Sequence, residues 1–141
     1  MKIVNNVAEI INSTTIPKNS MVYTAGNAST PQVLLRQIIK DEQITSIDLL
    51  SLLLLGDIGE LFAPEVCSRV THRVLFSGEH SRIALNHGMA AYQMMHLSDI
   101  PHQLKNYLKP TVVLLTVAGP DNGGNFSYGS TVEGLQAAVD T

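Results

Sequence analysis

Along the chain, short apolar runs with β-branched residues alternate with stretches whose apolar positions recur at helical spacing. Met21 to Ala25, Ile47 to Leu55, Arg73 to Phe76 and Thr111 to Ala118 read as strands. Ile3 to Ile11, Pro31 to Lys40, Ser81 to His87, Ser98 to Leu108 and Thr131 to Asp140 read as helices, the last with Val132, Leu135, Ala138 and Val139 on its apolar face. The longest apolar stretch, Ile44 to Leu55, is interrupted by Thr45, Ser46, Asp48 and Ser51 and is too short to span a bilayer. It reads as a strand buried on both faces, with a buried helix as the alternative, since leucine favours helices. Strands alternating with helices and joined by short loops predict an α/β fold: a three-layer, open, mostly parallel sheet with helices on both faces. In such sheets ligands bind beyond the carboxyl ends of the strands, so the strand-end loops are the places to look for chemistry.

The first of these loops is Gly26-Asn27-Ala28-Ser29-Thr30-Pro31. Gly26 permits a turn with positive φ, Ser29 or Thr30 suits the N-cap, and Pro31 suits the first helical position. Val33, Leu34, Leu35, Ile38 and Ile39 give the following helix a broad apolar face. A loop of this kind aims free N–H groups past the end of the strand, where they form a site for an anion or oxyanion; an ordinary, well-capped turn reads the same way. It matches neither the GxGxxG nor the GxxxxGK[ST] phosphate pattern. Two later loops share its character: Ser77-Gly78-Glu79-His80-Ser81-Arg82, and Gly119-Pro120-Asp121-Asn122-Gly123-Gly124-Asn125-Phe126-Ser127-Tyr128-Gly129.

Composition narrows the function classes. The 141 residues fit one domain, and 45% of them are hydrophobic, enough for a substantial core. A net charge of −3 with sparse charged residues argues against a nucleic-acid groove or a polybasic membrane contact. The single cysteine, Cys67, excludes an internal disulfide framework, and together with an amino-terminus broken up by Asn5, Asn6 and Glu9 it points to a reducing, cytoplasmic setting. His72, His80, His87, His96 and His102 are scattered over different elements and suit structural or solvent-facing roles better than metal binding.

Four motifs in order carry a family resemblance: Gly26-Asn27-Ala28-x-x-Pro31; Leu75-Phe76-x-Gly78-x-x-x-Arg82 with Asn86, Gly88 and Tyr92; Leu97-Ser98-Asp99-Ile100-Pro101; and Pro120-Asp121-x-x-Gly124-x-Phe126-Ser127-x-Gly129. From about Ile10 to its last residue, the chain resembles the amino-terminal domain of the acetyl-CoA hydrolase/transferase family, which includes the 4-hydroxybutyrate and acetate CoA-transferases. The resemblance implies two similar α/β domains packed face to face, with residues 1–141 as the first. It also implies a glutamate in the second domain, beyond Thr141, that attacks an acyl-CoA and passes through an acyl-glutamyl anhydride to a glutamyl-CoA thioester. A small carboxylate then takes the CoA.

On this reading no catalytic nucleophile lies in the chain, and Glu79 is loop chemistry. Gly26, Asn27 and Ala28 face the substrate as oxyanion or carboxylate donors, with the Asn27 amide contributing. Gly78, Arg82, Pro120 and Asp121 belong to the pocket or to the domain interface, Arg82 more as a brace than as a phosphate ligand. No metal or resident cofactor is implied, coenzyme A thioester is a substrate, and the partners are acyl-CoA, a small carboxylate and the carboxyl-terminal domain, with a homodimer as a further possibility. Lys109-Pro110-Thr111 and the histidine-free Gly119-Pro120-Asp121-Asn122-Gly123-Gly124 depart from common family patterns, which bears on acyl preference. The chain ends at Thr141 without a helix stop signal, which fits a piece of a longer chain. A non-catalytic binding or regulatory module of the same fold is the alternative, and a sugar-phosphate isomerase a weaker one, with only Arg82 available for phosphate.

Overall fold

The computed structural model describes residues 3–141. Five parallel strands form one open sheet: β1 (Met21–Thr24), β2 (Ile47–Ser51), β3 (Val70–Val74), β4 (Ala90–Tyr92) and β5 (Val112–Leu114), in the order β4-β3-β2-β1-β5. The helices are α1 (Gln32–Lys40), α2 (Pro64–Cys67), α3 (Glu79–Asn86), α4 (Ile100–Gln103, continued by a π-turn over Leu104–Leu108) and α5 (Leu135–Val139).

The strand alternation divides the core between the two faces of the sheet. Val22, Leu49 and Val70 point to one face, where Leu35 and Ile38 of α1, Leu61, Val66 of α2 and Ala84 of α3 cover them. Tyr23, Leu50 and Leu75 point to the other, against Ile100 and Leu104 of the α4 segment and Leu135 and Ala138 of α5. The unbroken apolar runs of β1 and β2 follow from burial on both faces, as expected for a parallel sheet. Within the Ile44–Leu55 stretch, Ile47–Ser51 is strand and none of it is helix.

Several boundaries differ from the sequence reading, each for a local reason. The amino-terminal helix reduces to one turn, Val7–Glu9, because Asn6 Oδ1 accepts from the Ala8 N–H, Asn12 Nδ2 donates to the Ala8 carbonyl, and Asn12 Oδ1 accepts from Thr14 and Thr15. Such side-chain bonds compete with helix propagation. Strand β2 ends at Ser51, since the Leu53 carbonyl turns to accept from Asn27 N–H at 2.6 Å. Strand β3 starts three residues before the expected Arg73, with Leu75 N–H still bonded to Ser51 of β2 and Phe76 N–H to Leu52 just beyond it. Strand β5 is only three residues long, and α5 begins four residues late, because Glu133 adopts φ +44° and breaks the helix upstream. Strand β4 carries too short an apolar signal to stand out in the sequence.

His72 is the one histidine sealed in the core, 2% exposed and 4.8 Å from the Phe62 ring, with its Nε2 unpaired. Burial pushes its pKa down to about 4, with the nearby Arg69 guanidinium acting in the same direction and a backbone hydrogen bond at Leu61 opposing. Unfolded chain binds the proton at about pH 6.5 and folded chain only near 4, so this contribution is complete above 6.5 and lost as pH falls through that window. Chemical unfolding as a function of pH should show a loss on the order of 3 kcal/mol between pH 6.5 and 4, and His72→Leu should remove most of that slope. An unchanged slope in the variant would show that His72 is not buried neutral.

Candidate functional site

The order β4-β3-β2-β1-β5 places a topological switch between β1 and β5: from β1 the chain builds outward to β4, then returns to the other side of β1. The crevice beyond the carboxyl ends of these two strands is where open α/β sheets hold ligands. Two segments meet there, the Gly26–Pro31 loop after β1 and the Gly129–Gly134 segment after β5.

Gly26 is required for close approach, not for positive φ. A Cβ there would lie 2.5 Å from the Leu53 carbonyl oxygen and 3.0 Å from Glu133 Oε1. The left-handed residue is Asn27, at φ +49°. Pro31 takes the cap position and Gln32 is the first helical residue, so neither Ser29 nor Thr30 caps α1. Thr30 Oγ1 instead donates to the Asn27 carbonyl at 2.8 Å and accepts from Leu55 N–H at 3.2 Å, while Ser29 Oγ accepts from Thr131 N–H at 3.2 Å. Of the apolar α1 positions, Leu35 and Ile38 are buried and Val33 is exposed.

Glu133, which the sequence reading placed inside a helix, organises the crevice. Its Oε1 accepts from Asn27 Nδ2 at 2.7 Å, its Oε2 accepts from the Tyr23 hydroxyl at 3.4 Å, and the Gly26 backbone stands beside it. Gly134 packs against the Tyr23 oxygen, 3.6 Å from where a Cβ would stand. Burial raises the Glu133 pKa, and the Asn27, Gly26 and Tyr23 donors offset part of that rise. Tyr23, fully buried in β1, is held far above its usual value by desolvation first and the Glu133 charge second.

No cation pairs with Glu133 among the described residues; Lys105 pairs instead with Asp140 at 3.8 Å. Beside the carboxylate lies a cleft of about 310 Å³ with Leu52, Leu97, Ile100 and Pro101 as apolar walls. Of the backbone donors in the Gly26-Asn27-Ala28 turn, Asn27 N–H serves Leu53, and the N–H of the exposed residue Ala28 has no hydrogen-bond partner among the described residues.

The other sequence-predicted residues separate into two groups. Gly78 shares the sheet edge with Gly26: a Cβ there would meet Leu53 Cδ1 at 2.6 Å, so the two glycine turns close on Leu53 from either side. Gly78 also opens α3, its N–H donating to Ser81 Oγ at 2.9 Å. Arg82 is exposed and makes no ion pair or hydrogen bond through its side chain among the described residues, so it braces nothing within the domain.

Pro120 and Asp121 stand on the exposed tip of the long loop, where Asp121 Oδ1 accepts from Gly123 and Asn125 N–H groups at 2.8 Å each. Those bonds hold its carboxyl below the usual range and make it a turn-former of its own loop. Glu79 is exposed in the first turn of α3, and no cluster of metal-ligating side chains occurs among the described residues. Two signals for the missed residues were present in the sequence: Glu133 is the only acid between Asp121 and Asp140, and Tyr23 is the one polar-tipped bulky residue in β1.

The whole chain, residues 1–141, matches the sequence profile of the acetyl-CoA hydrolase/transferase N-terminal domain. The chain belongs to the acetyl-CoA hydrolase/transferase family. Its fold is shared with the crystal structure of RipA from Yersinia pestis, at a TM-score of 0.80 and 18% identity over 89% of this chain. Two point mutants of RipA match as well, one with the same values and the other at a TM-score of 0.76 and 19% identity over 83% of this chain. The chain spans only 31% of the RipA chain and 29% of the second mutant. No curated protein matches the chain in sequence. In this chain, then, the crevice beyond β1 holds a carboxylate of the domain itself.

Gly26→Ala should destabilise the domain by about 2 kcal/mol, since the new methyl group must push back the Leu53 carbonyl and Glu133 together. Urea unfolding reads this directly, and a loss below about 0.5 kcal/mol would mean that the close approach at Gly26 is not a constraint.

Proposed function

We propose that this chain is the amino-terminal half of an acyl-CoA:carboxylate CoA-transferase, forming one wall of the site in which a thioester and a small carboxylate exchange CoA. The observation that carries this reading is the family match over residues 1–141, together with the Gly26-Asn27-Ala28 turn at the switch point of the sheet. The nucleophilic glutamate belongs to the second domain, which packs on the carboxyl edge of this sheet. The first domain supplies N–H donors where negative charge develops on the thioester oxygen; a single positioned donor of this kind is typically worth about 3 kcal/mol of barrier. Ala28 N–H is available as the domain stands, and Asn27 Nδ2 has a second hydrogen beyond the one given to Glu133.

Coenzyme A thioester is a substrate here and no resident cofactor is needed. No helix among the described residues is long and apolar enough to cross a membrane, and we place the protein in the cytoplasm. Exposed Arg82, with Phe76 and Tyr92 exposed on nearby strand ends, belongs to the face that meets the second domain.

In the full-length protein, borohydride should inactivate only after exposure to acyl-CoA, with the modified glutamate outside residues 1–141, and the 141-residue domain alone should show no turnover. Asn27→Asp in the full-length enzyme should lower kcat on the order of a hundredfold while the protein stays folded. Unchanged turnover in that variant would remove Asn27 from the site, and turnover by the isolated domain would contradict the two-domain reading.

A further inference from the structure

The donors at the switch point already hold a carboxylate, that of Glu133. An oxyanion site that the chain fills itself reports what kind of group the site is built for. Two side-chain donors from different places reach one carboxylate, Asn27 Nδ2 at 2.7 Å and the Tyr23 hydroxyl at 3.4 Å, with the Gly26 backbone packed beside it. No cation among the described residues takes part, so the recognition is by hydrogen-bond geometry and not by net charge, which suits a monocarboxylate better than a phosphate. The rest of the adjoining cleft, about 310 Å³, is walled by Leu52, Leu97, Ile100 and Pro101, and its volume is at the small end for ligand pockets.

The segment that delivers Glu133 is held lightly on its outer side. Upstream of Glu133, its tie to the Gly26–Pro31 loop is the 3.2 Å bond from Thr131 N–H to Ser29 Oγ. Glu133 itself sits at φ +44°, a backbone state that favours glycine and is retained here by its side chain's bonds. Downstream, Gly134 is wedged between Leu104 and Ile100, where a Cβ would lie 2.7 Å from Leu104 Cδ1, so the hinge of any motion lies on the Gly129 side.

We propose that Glu133 is the resident occupant of the carboxylate site formed by Tyr23, Asn27 and the Gly26 turn, and that an incoming aliphatic monocarboxylate must displace it. The acid's carboxylate takes over the donors and its chain lies along Leu52, Leu97, Ile100 and Pro101. The inference rests on the reading of the Gly26 turn as the carboxylate-facing wall, and adds the residue of this chain that competes with the acid. It also explains why a carboxylate with no cationic partner among the described residues is kept half-buried in the crevice.

The test is equilibrium binding of acetate and butyrate to the full-length protein, followed by the ¹H–¹⁵N signals of the Asn27 side-chain amide and the Gly26 backbone, with chloride at matched ionic strength as reference. Glu133→Ala should bind both acids saturably at these signals, at least about tenfold more tightly than the unmodified protein. Butyrate should exceed acetate by about tenfold, as expected for two further buried methylenes. Glu133→Gln, which keeps an oxygen on the donors, should resemble the unmodified protein. If Glu133→Ala unfolds, acetate but not chloride should restore its cooperative unfolding transition, and failure to do so overturns the proposal.

Equal affinity in the unmodified protein and Glu133→Ala, or signals that shift only away from Asn27 and Gly26, would equally overturn it. Since the readout is binding, loss of this inference alongside intact acyl-CoA-dependent borohydride inactivation leaves the transferase reading standing. Carboxylate binding without that inactivation has the opposite meaning.

Discussion

A half-buried carboxylate with no cation beside it among the described residues ties the last element of this domain to the loop after its first strand. Glu133 and Asn27 are 106 residues apart in sequence and 2.7 Å apart in space. Strand β1 is flanked by β2 and β5 and covered on both faces, so its carboxyl end is the part of it that reaches a ligand crevice. Whatever closes that end determines what the domain can bind. The backbone strain at Glu133 and the late start of α5 follow from seating this carboxylate, which also adds to the close approach that Leu53 imposes at Gly26 and to the burial-driven shift of Tyr23.

The balance of forces at that seat is close. Charge-assisted hydrogen bonds contribute more than neutral ones, on the order of 1.5–3 kcal/mol each, but desolvating a carboxylate without a counter-ion opposes them by a comparable amount. The upward shift of the Glu133 pKa has the same origin: burial outweighs the donors. A contact poised in this way can hold a segment in place and still yield to a ligand with similar chemistry. An apolar plug at the same position would be harder to exchange, and an Arg-paired one would select for charge over shape.

How much of this was legible in the sequence depends on the range of the interaction. Strands β1 and β2 announced themselves because both faces are buried, leaving nearly continuous apolar runs, and α1 because its buried side repeats at helical spacing. The Gly26-Asn27-Ala28 turn was visible as a glycine-led strand-to-helix junction, but the reason for its glycine was not: the constraint comes from the Leu53 carbonyl and Glu133, remote in sequence. Glu133 was hidden inside an apparently amphipathic stretch, since periodicity says nothing about a single residue held left-handed by a distant partner. Asp121, by contrast, looked like pocket chemistry because turn-formers and ligands share a vocabulary, and the structure shows it bonded to its own loop.

The coupling between Asn27 and Glu133 is the quantity on which this picture turns, and a double-mutant cycle measures it. Asn27→Ala and Glu133→Ala, singly and together, would be compared by urea unfolding at about pH 7, where the Asn27–Glu133 bond is present only in the unmodified protein. A coupling of about 1.5–3 kcal/mol is expected for a charge-assisted bond at this distance. Additivity within about 0.5 kcal/mol would mean that the carboxylate does not rest on the Asn27 amide in solution, and the central claim would fall.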